Sequence, residues 1–267
     1  MTSKPNRSAP RRHRAEAPPA RHGLARVLSK RGVCSRSEAS ALIRAGRVRV
    51  DGRTIRDPES PTAPDARIRV DDADAAPVEK VYIALNKPRG CVTTASDERG
   101  RRTVYEFLHG AALPWLAAVG RLDKASEGLL LFTNDSAFAA RITDPATHIA
   151  KTYHVQLDAL PDSHLCDRLR AGAVVDGERL AVKAARELRR GARHAWLEIV
   201  LDEGRNRHIR RLLAAFGVGV LRLVRVAIGP LALGDLAKGA WRRLDDAELS
   251  AISEASEGCR GVRQRTK

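Results

Sequence analysis

The 267-residue chain carries 48 Lys and Arg against 32 Asp and Glu, a formal charge of +16, and 43% of its residues are hydrophobic. That balance fits one large domain, or a small domain plus a medium one, with a proper core and a polyanionic partner. No apolar run approaches the roughly 18 residues a membrane-spanning helix needs, so a membrane partner is excluded. The 4 cysteines, Cys34, Cys91, Cys166 and Cys259, are scattered without C-x-x-C or His/Cys metal-ligand spacing, and glycine-rich dinucleotide and nucleoside-triphosphate motifs are missing. Neither a metal nor a cofactor is called for.

Residues 1–22 hold Lys4, Arg7, Arg11, Arg12, Arg14 and Arg21 against Glu16, with Pro5, Pro10, Pro18 and Pro19 among them. This is the composition of a disordered basic arm with no apolar secretory segment, so the expected location is the cytoplasm. From Gly23 the pattern turns helical, with Leu24, Val27 and Leu28 at i, i+3 and i+4 and Gly32 as a stop. Ser35 and Glu38 form an S-x-x-E capping box for a second helix with the stripe Ala39, Leu42, Ile43, closed by Gly46. Arg47 to Val50 alternates into the two-residue turn Asp51-Gly52, and Arg53 to Arg56 alternates back, which predicts a hairpin. Arg36 and Arg44 on the helix, with Arg47, Arg49 and Arg53 on the hairpin, make a basic face suited to RNA.

The small acidic stretch 71–77 (DDADAAP) fits a linker. Beyond it, strands are expected at Val81 to Leu85, Leu129 to Thr133, Thr152 to Leu157, Ala195 to Leu201 and Val220 to Ile228. Helices are expected near Ser136 to Ile142, Ser163 to Ala171 and Asn206 to Phe216. The helices interrupt the strands irregularly, so the expected class is α+β: a small module over 23–70, then a mixed, largely antiparallel α/β domain over 78–250. Residues 251–267 are read as a basic C-terminal tail. No coiled-coil heptad is present, and a monomer is the default.

Chemistry concentrates in Gly120 to Asp135, GRLDKASEGLLLFTND, where a carboxylate in a polar loop enters an apolar strand. Held at a strand edge beside Arg121 and Lys124, Asp123 would be ionised and rigidly placed, as a nucleophile or base requires. Asp123 and Glu127 are four apart, but a loop running into a strand does not put them on one helical face, so a glycosidase pair is discarded. In the helix after Asn206, Ile209, Leu212, Leu213 and Phe216 form a core stripe, with Arg207, Arg210 and Arg211 opposite. Aromatic residues are 4% of the chain, too few for an aromatic stacking platform of the kind some RNA-binding sheets use.

Residues from Gly23 to about Val70 resemble an S4-type RNA-binding module. G-R-L-D-x-x-[ST]-x-G-L-L resembles the active-site motif of the RsuA/RluB-type ribosomal-RNA pseudouridine synthases, and YIALNKPRG (Tyr82 to Gly90), Lys151-Thr152-Tyr153 and EGRNRHIRRL (Glu203 to Leu212) agree in order. His208 stands where many relatives carry Gln, and Ala125 where Asp is common. The resemblance implies isomerisation of a uridine already in RNA, with no cofactor. Asp123 would be the catalytic carboxylate, Tyr153 a stacking and proton-handling phenol, and Arg210 a guanidinium forked onto Asp123. Arg207 and Arg211 would contact phosphate, Arg121 would fill the space left by the flipped base, and Lys87 would contact RNA. The expected partner is ribosomal RNA or a ribosomal-subunit precursor, with the large subunit favoured by the likeness of RLVRVAIGPLALGDLAKGAWRRL to that subgroup. The alternatives are a small-subunit enzyme, or a non-catalytic RNA-binding assembly protein that retains the fold.

Overall fold

The computed structural model describes residues 21–261, so nearly all of the expected basic arm lies outside the described residues. The described chain divides into two compact units, residues 21–28 with 36–76 and residues 29–35 with 77–261. Among the described residues no helix is long and apolar enough to cross a membrane.

The first unit contains β1 (His22–Gly23), most of α1 (Leu24–Lys30), α2 (Arg36–Arg44), β2 (Val48–Val50), β3 (Arg53–Ile55), β4 (Pro61–Thr62), β5 (Ile68–Val70) and β6 (Ala73–Asp74). Its core is Leu24, Leu28, Ala39, Ile43, Val48 and Ile68, the apolar positions of the two helical stripes and the inward positions of two strands. The hairpin forms because Asp51 and Gly52 take positive φ (48° and 82°), the conformation that a two-residue turn between twisted strands requires. Strands β3-β2-β5-β6 make an antiparallel sheet. The expected linker over 71–77 is therefore corrected: residues 73–74 are a strand. Asp71 pairs with Arg47, Asp72 with Arg49 at 3.0 Å, and Asp74 with Arg69 at 3.5 Å. The acidic run is ordered as counter-charge to the arginine hairpin.

The second unit runs β7 (Tyr82–Lys87), β8 (Ala117–Val119), β9 (Glu127–Thr133), α3 (Ser136–Thr143), β10 (Lys151–Leu157), α4 (Leu165–Ala171), β11 (Ala173–Val175), β12 (Glu178–Leu180), β13 (Ala184–Arg190), β14 (Ala195–Leu201), α5 (His208–Ala215), β15 (Val220–Ile228), β16 (Leu231–Ala232), β17 (Trp241–Arg243) and α6 (Asp246–Gly261). The sheet order is β13-β14-β10-β15-β9-β7-β17, with β8 beside β9 and β16 beside β15. Its pairs are antiparallel apart from β9 with β15. The α+β class and the mostly antiparallel sheet stand. α6 corrects the expected tail at its start: Leu249, Ile252 and Ser256 recur at helical spacing, and Ile252 is 1% exposed in a core with Phe138 and Leu129.

Two apolar clusters sandwich β9. Leu129 and Leu131 pack with Phe138, Ile142 and Ile252, while Leu130 and Phe132 pack with Ile83, Leu85, Val104 and Leu122. A strand buried on both faces reads as a continuous apolar run rather than an alternation, and each of these side chains contributes about 1.5–3 kcal/mol of burial. The strand that follows the Asp123 loop is thus the most firmly anchored in the unit. At its start Gly128 has φ 102° and lies against the backbone of Arg225, where any Cβ would collide with the carbonyl. Gly128→Ala is expected to destabilise the protein by about 3–5 kcal/mol, read as a fall in the urea midpoint; an unchanged midpoint would show that β9 and β15 do not approach this closely.

Candidate active site

The loop between β8 and β9 is fixed through its own carbonyls. Thr93 Oγ1 donates to Leu122 O at 2.7 Å and accepts from Leu122 N at 3.2 Å, and Gly90 N donates to Lys124 O at 2.8 Å. Lys87 Nζ donates to Asp123 O at 3.1 Å, Ser126 O at 2.8 Å and Pro88 O at 3.2 Å. Arg210 Nη2 donates to Ala125 O at 3.1 Å. Five consecutive carbonyls, Leu122 to Ser126, are therefore each held by a donor, two of these donors being cations. Hydrogen bonds from charged groups contribute about 1.5–3 kcal/mol apiece, so the loop is far stiffer than a surface turn.

Lys87 is wholly buried at 0% exposure. Burial lowers its ammonium from the ordinary value, with the Cys91 thiol, Asp123 and Glu127 pulling it back. The assignment of Lys87 to RNA contact is corrected, because a side chain sealed under the loop reaches no external ligand. It serves the loop.

Asp123 and Tyr153 both line a cavity of about 500 Å³, and Arg121 and Arg207 line it with exposed side chains. Strand alternation on β10 puts Lys151 and Tyr153 on one face, and both reach the cavity. Across the ladder Tyr153 faces Ile199 of β14 and Arg225 of β15, next to a bulge at Thr152/Tyr153. Arg207 sits at the N-cap of α5 with φ 48°, and the following His208 is 3% exposed with Nδ1 3.4 Å from Glu203. Burial pushes the His208 imidazole down, against the pull of Glu203.

Arg210 does not fork onto Asp123. Its Nη1 and Nη2 donate to Val220 O and Ala125 O, both at 3.1 Å, and no ion pair joins it to the carboxylate. Asp123 still acts on it at longer range: burial and Arg207 lower the guanidinium from its ordinary value and Asp123 raises it. The expected bidentate pair is corrected, since two backbone acceptors already occupy the fork. Arg211 is corrected as well. It binds Glu178 at 2.7 Å, Asp176 at 3.3 Å and Val175 O at 3.0 Å, which commits the guanidinium to the β11–β12 hairpin rather than to phosphate. In the first unit Arg36, Arg44 and Arg53 are exposed, while Arg47 and Arg49 are exposed but carboxylate-paired.

Sequence reasoning missed Lys151 and Arg225 as cavity residues, and Glu127 as a buried charge. Lys151 was visible two residues before Tyr153, the spacing that shares a strand face. Glu127 gave no local signal: it is 3% exposed and neutralised from distant segments, by Arg222 at 3.1 Å and Lys238 at 2.6 Å.

The family model for RNA pseudouridylate synthase matches residues 81–215, and that for the S4 domain matches residues 23–68. An RNA pseudouridine synthase of Rickettsia prowazekii is 35% identical over 227 residues, covering 85% of this chain and 95% of its own. One from Aquifex aeolicus is 36% identical, covering 86% and 93%, and one from Mycobacterium tuberculosis 37%, covering 87% and 93%. A crystal structure of a pseudouridylate synthase aligns with TM-score 0.61 and 29% identity over 86% of this chain and 99% of the other. The chain belongs to the RNA pseudouridine synthase family, with an S4 domain ahead of the catalytic domain. It is an isomerase acting on uridine in RNA.

Burial pushes the Glu127 carboxyl up, but hydrogen bonds from Arg222 and Lys238 outweigh this and leave it below its ordinary value. The stability it contributes is therefore complete above the unfolded carboxyl value of about 4.3 and is lost as pH falls through the lower folded value. Glu127→Gln should melt well below wild type at pH 7, and the gap should narrow steadily below about pH 4.3. A gap independent of pH would show that the charge of Glu127 is not what the fold uses.

Proposed function

We propose that the chain isomerises one uridine of large-subunit ribosomal RNA, with Asp123 as the essential carboxylate. The observation that carries this reading is the cavity itself: a half-buried carboxylate on a loop whose carbonyls from Leu122 to Ser126 are each held, facing the same space as Tyr153, with exposed Arg121 and Arg207 at its lining. A uridine inside structured RNA must leave its stack before a carboxylate can reach it, at a cost of a few kcal/mol that contacts from both units can offset. Tyr153 supplies a flat ring for the flipped uracil and a phenol for proton handling. Arg207 suits a flanking phosphate and Arg121 the space the flipped base leaves, and the exposed arginines of the S4 unit extend the electrostatic footprint. Arg210 acts through the loop, as a positioning residue that holds Ala125 O and adds positive potential near Asp123.

The choice of the large subunit is supported by the likeness of the segment RLVRVAIGPLALGDLAKGAWRRL, not by the site. Isomerisation exchanges one glycosidic bond for another and consumes neither oxidant nor energy source.

The test is pseudouridine mapping, by carbodiimide-stop primer extension, of both ribosomal RNAs from cells lacking the gene and complemented with wild type or Asp123→Asn. One large-subunit site should vanish on deletion and return with wild type alone, while purified Asp123→Asn keeps its RNA affinity. A site in the small-subunit RNA would move the target, and rescue by Asp123→Asn would remove the carboxylate from the chemistry and favour an RNA-binding role.

A further inference from the structure

Lys151 and Arg225 form a pair of cations in the cavity with no carboxylate on either. Arg225 is 5% exposed; its Nε donates to Leu129 O at 2.7 Å, and its Nη2 is buried with no acceptor. Lys151 is half-buried and has no ion pair among the described residues. Burial lowers its ammonium, as does the Arg225 charge, against a smaller pull from Asp202. Keeping two cations together with no direct ion pair, and only the longer-range pull of Asp202 on Lys151, is costly unless an anionic group arrives to meet them.

Their place narrows what that group is. Lys151 shares a strand face with Tyr153, and Arg225 is the ladder partner of Tyr153 on β15, so both cations border the space beside the stacking ring. Phosphates of a flipped nucleotide stay on the RNA backbone, where the exposed Arg207 suits them. The base is what goes inside.

We infer that Lys151 and Arg225 bind the carbonyl oxygens of the flipped uracil and stabilise the negative charge the ring gains when its glycosidic bond breaks. The inference rests on the reading of this cavity as the isomerisation site. When N1–C1′ breaks, its electron pair goes to N1 and the charge spreads onto O2 and O4. C1′ is meanwhile either bonded to the Asp123 carboxylate or doubly bonded to C2′, whose proton Asp123 has taken. C5 then bonds to C1′ as the carboxylate leaves C1′ in the first route or returns its proton to C2′ in the second; N1 gains a proton, C5 loses one and Asp123 is restored. Both routes pass through an anionic uracil, so the role of the two cations is the same in each. Donors aimed at charge that develops only in the transition state accelerate the step itself rather than binding.

The test is the single-turnover reaction of wild type, Lys151→Met and Lys151→Arg with transcripts of both ribosomal RNAs, made with uridine or with 5-fluorouridine and followed by nucleoside chromatography as appearance of the C5-linked nucleoside, which for 5-fluorouridine stays at the stage before deprotonation because fluorine replaces the proton on C5. Fluorine withdraws electron density and makes the departing base carry its own charge more easily. Lys151→Met should be slower by about a hundredfold on uridine, with RNA affinity within about twofold, and its deficit should shrink at least about tenfold on 5-fluorouridine. Lys151→Arg should retain most of the rate. Because Arg225 also holds Leu129 O, Arg225→Gln is added only with its melting temperature. An equal deficit on both substrates, or weakened RNA binding at an unchanged single-turnover rate, would overturn the inference and make Lys151 a structural or phosphate-binding group. A wild type that isomerises neither RNA would instead overturn the reading of the cavity on which the inference stands.

Discussion

A single buried ammonium governs the geometry of the site. Lys87 ends β7, and its Nζ reaches the carbonyls of Pro88, Asp123 and Ser126, tying the turn after one strand to the loop before the next. Taking that charge out of water costs several kcal/mol, and only satisfaction of its three donors repays the cost. The fold therefore holds one arrangement of the loop in which those carbonyls converge, and Asp123 is presented to the cavity as a consequence. Thr93, Gly90 and Arg210 complete the same task from other sides, and the strand that follows is clamped between two cores. Catalytic loops are held in productive geometry by groups of this kind, themselves out of the reaction.

The charge of the chain has to be read in the same way. Many of its arginines are spent internally: Arg47 and Arg49 on the acidic segment after β5, Arg205 and Arg211 on Glu178, and Arg222 on Glu127. Exposed pairs of this kind contribute little to stability, and they lower the charge available to a polyanion. What is left matters more than the total. At the cavity Arg121 and Arg207 are exposed without a carboxylate partner, and the buried Arg225 and half-buried Lys151 line its interior, likewise without an ion pair, so positive potential remains where a nucleotide would enter.

Much of this was legible in the sequence because it is local. The apolar stripe of α5, the Asp51-Gly52 turn and the run GLLLF name their elements through spacing alone, and the GRLD loop stands out through a carboxylate set against an apolar strand. Other features were not legible because their causes are long-range. Arg210 looks like an ion-pair partner in one dimension, but in three its fork meets Val220 O and Ala125 O first. Lys87 sits in a turn-like NKPRG, yet pairing of β7 with β9 buries it completely. The DDADAAP stretch has linker composition, and its order is explained by ion pairs with Arg47, Arg49 and the β5 residue Arg69. In each case hydrophobic periodicity located the backbone, and partners remote in sequence decided what the polar side chain does.

The measurement that bears most directly on this account is the single-turnover rate of Lys87→Met, taken with its melting temperature and with amide exchange across residues 122–128. Removing the ammonium leaves Ser126 O without its donor, at about 1–3 kcal/mol, and leaves Asp123 O and Pro88 O held only by Ser126 N and Cys91 Sγ. The protein should still fold and bind RNA, exchange faster across that loop, and isomerise uridine at least about a hundredfold more slowly. A folded Lys87→Met that keeps slow exchange and a wild-type rate would contradict the claim that this buried cation sets the position of Asp123.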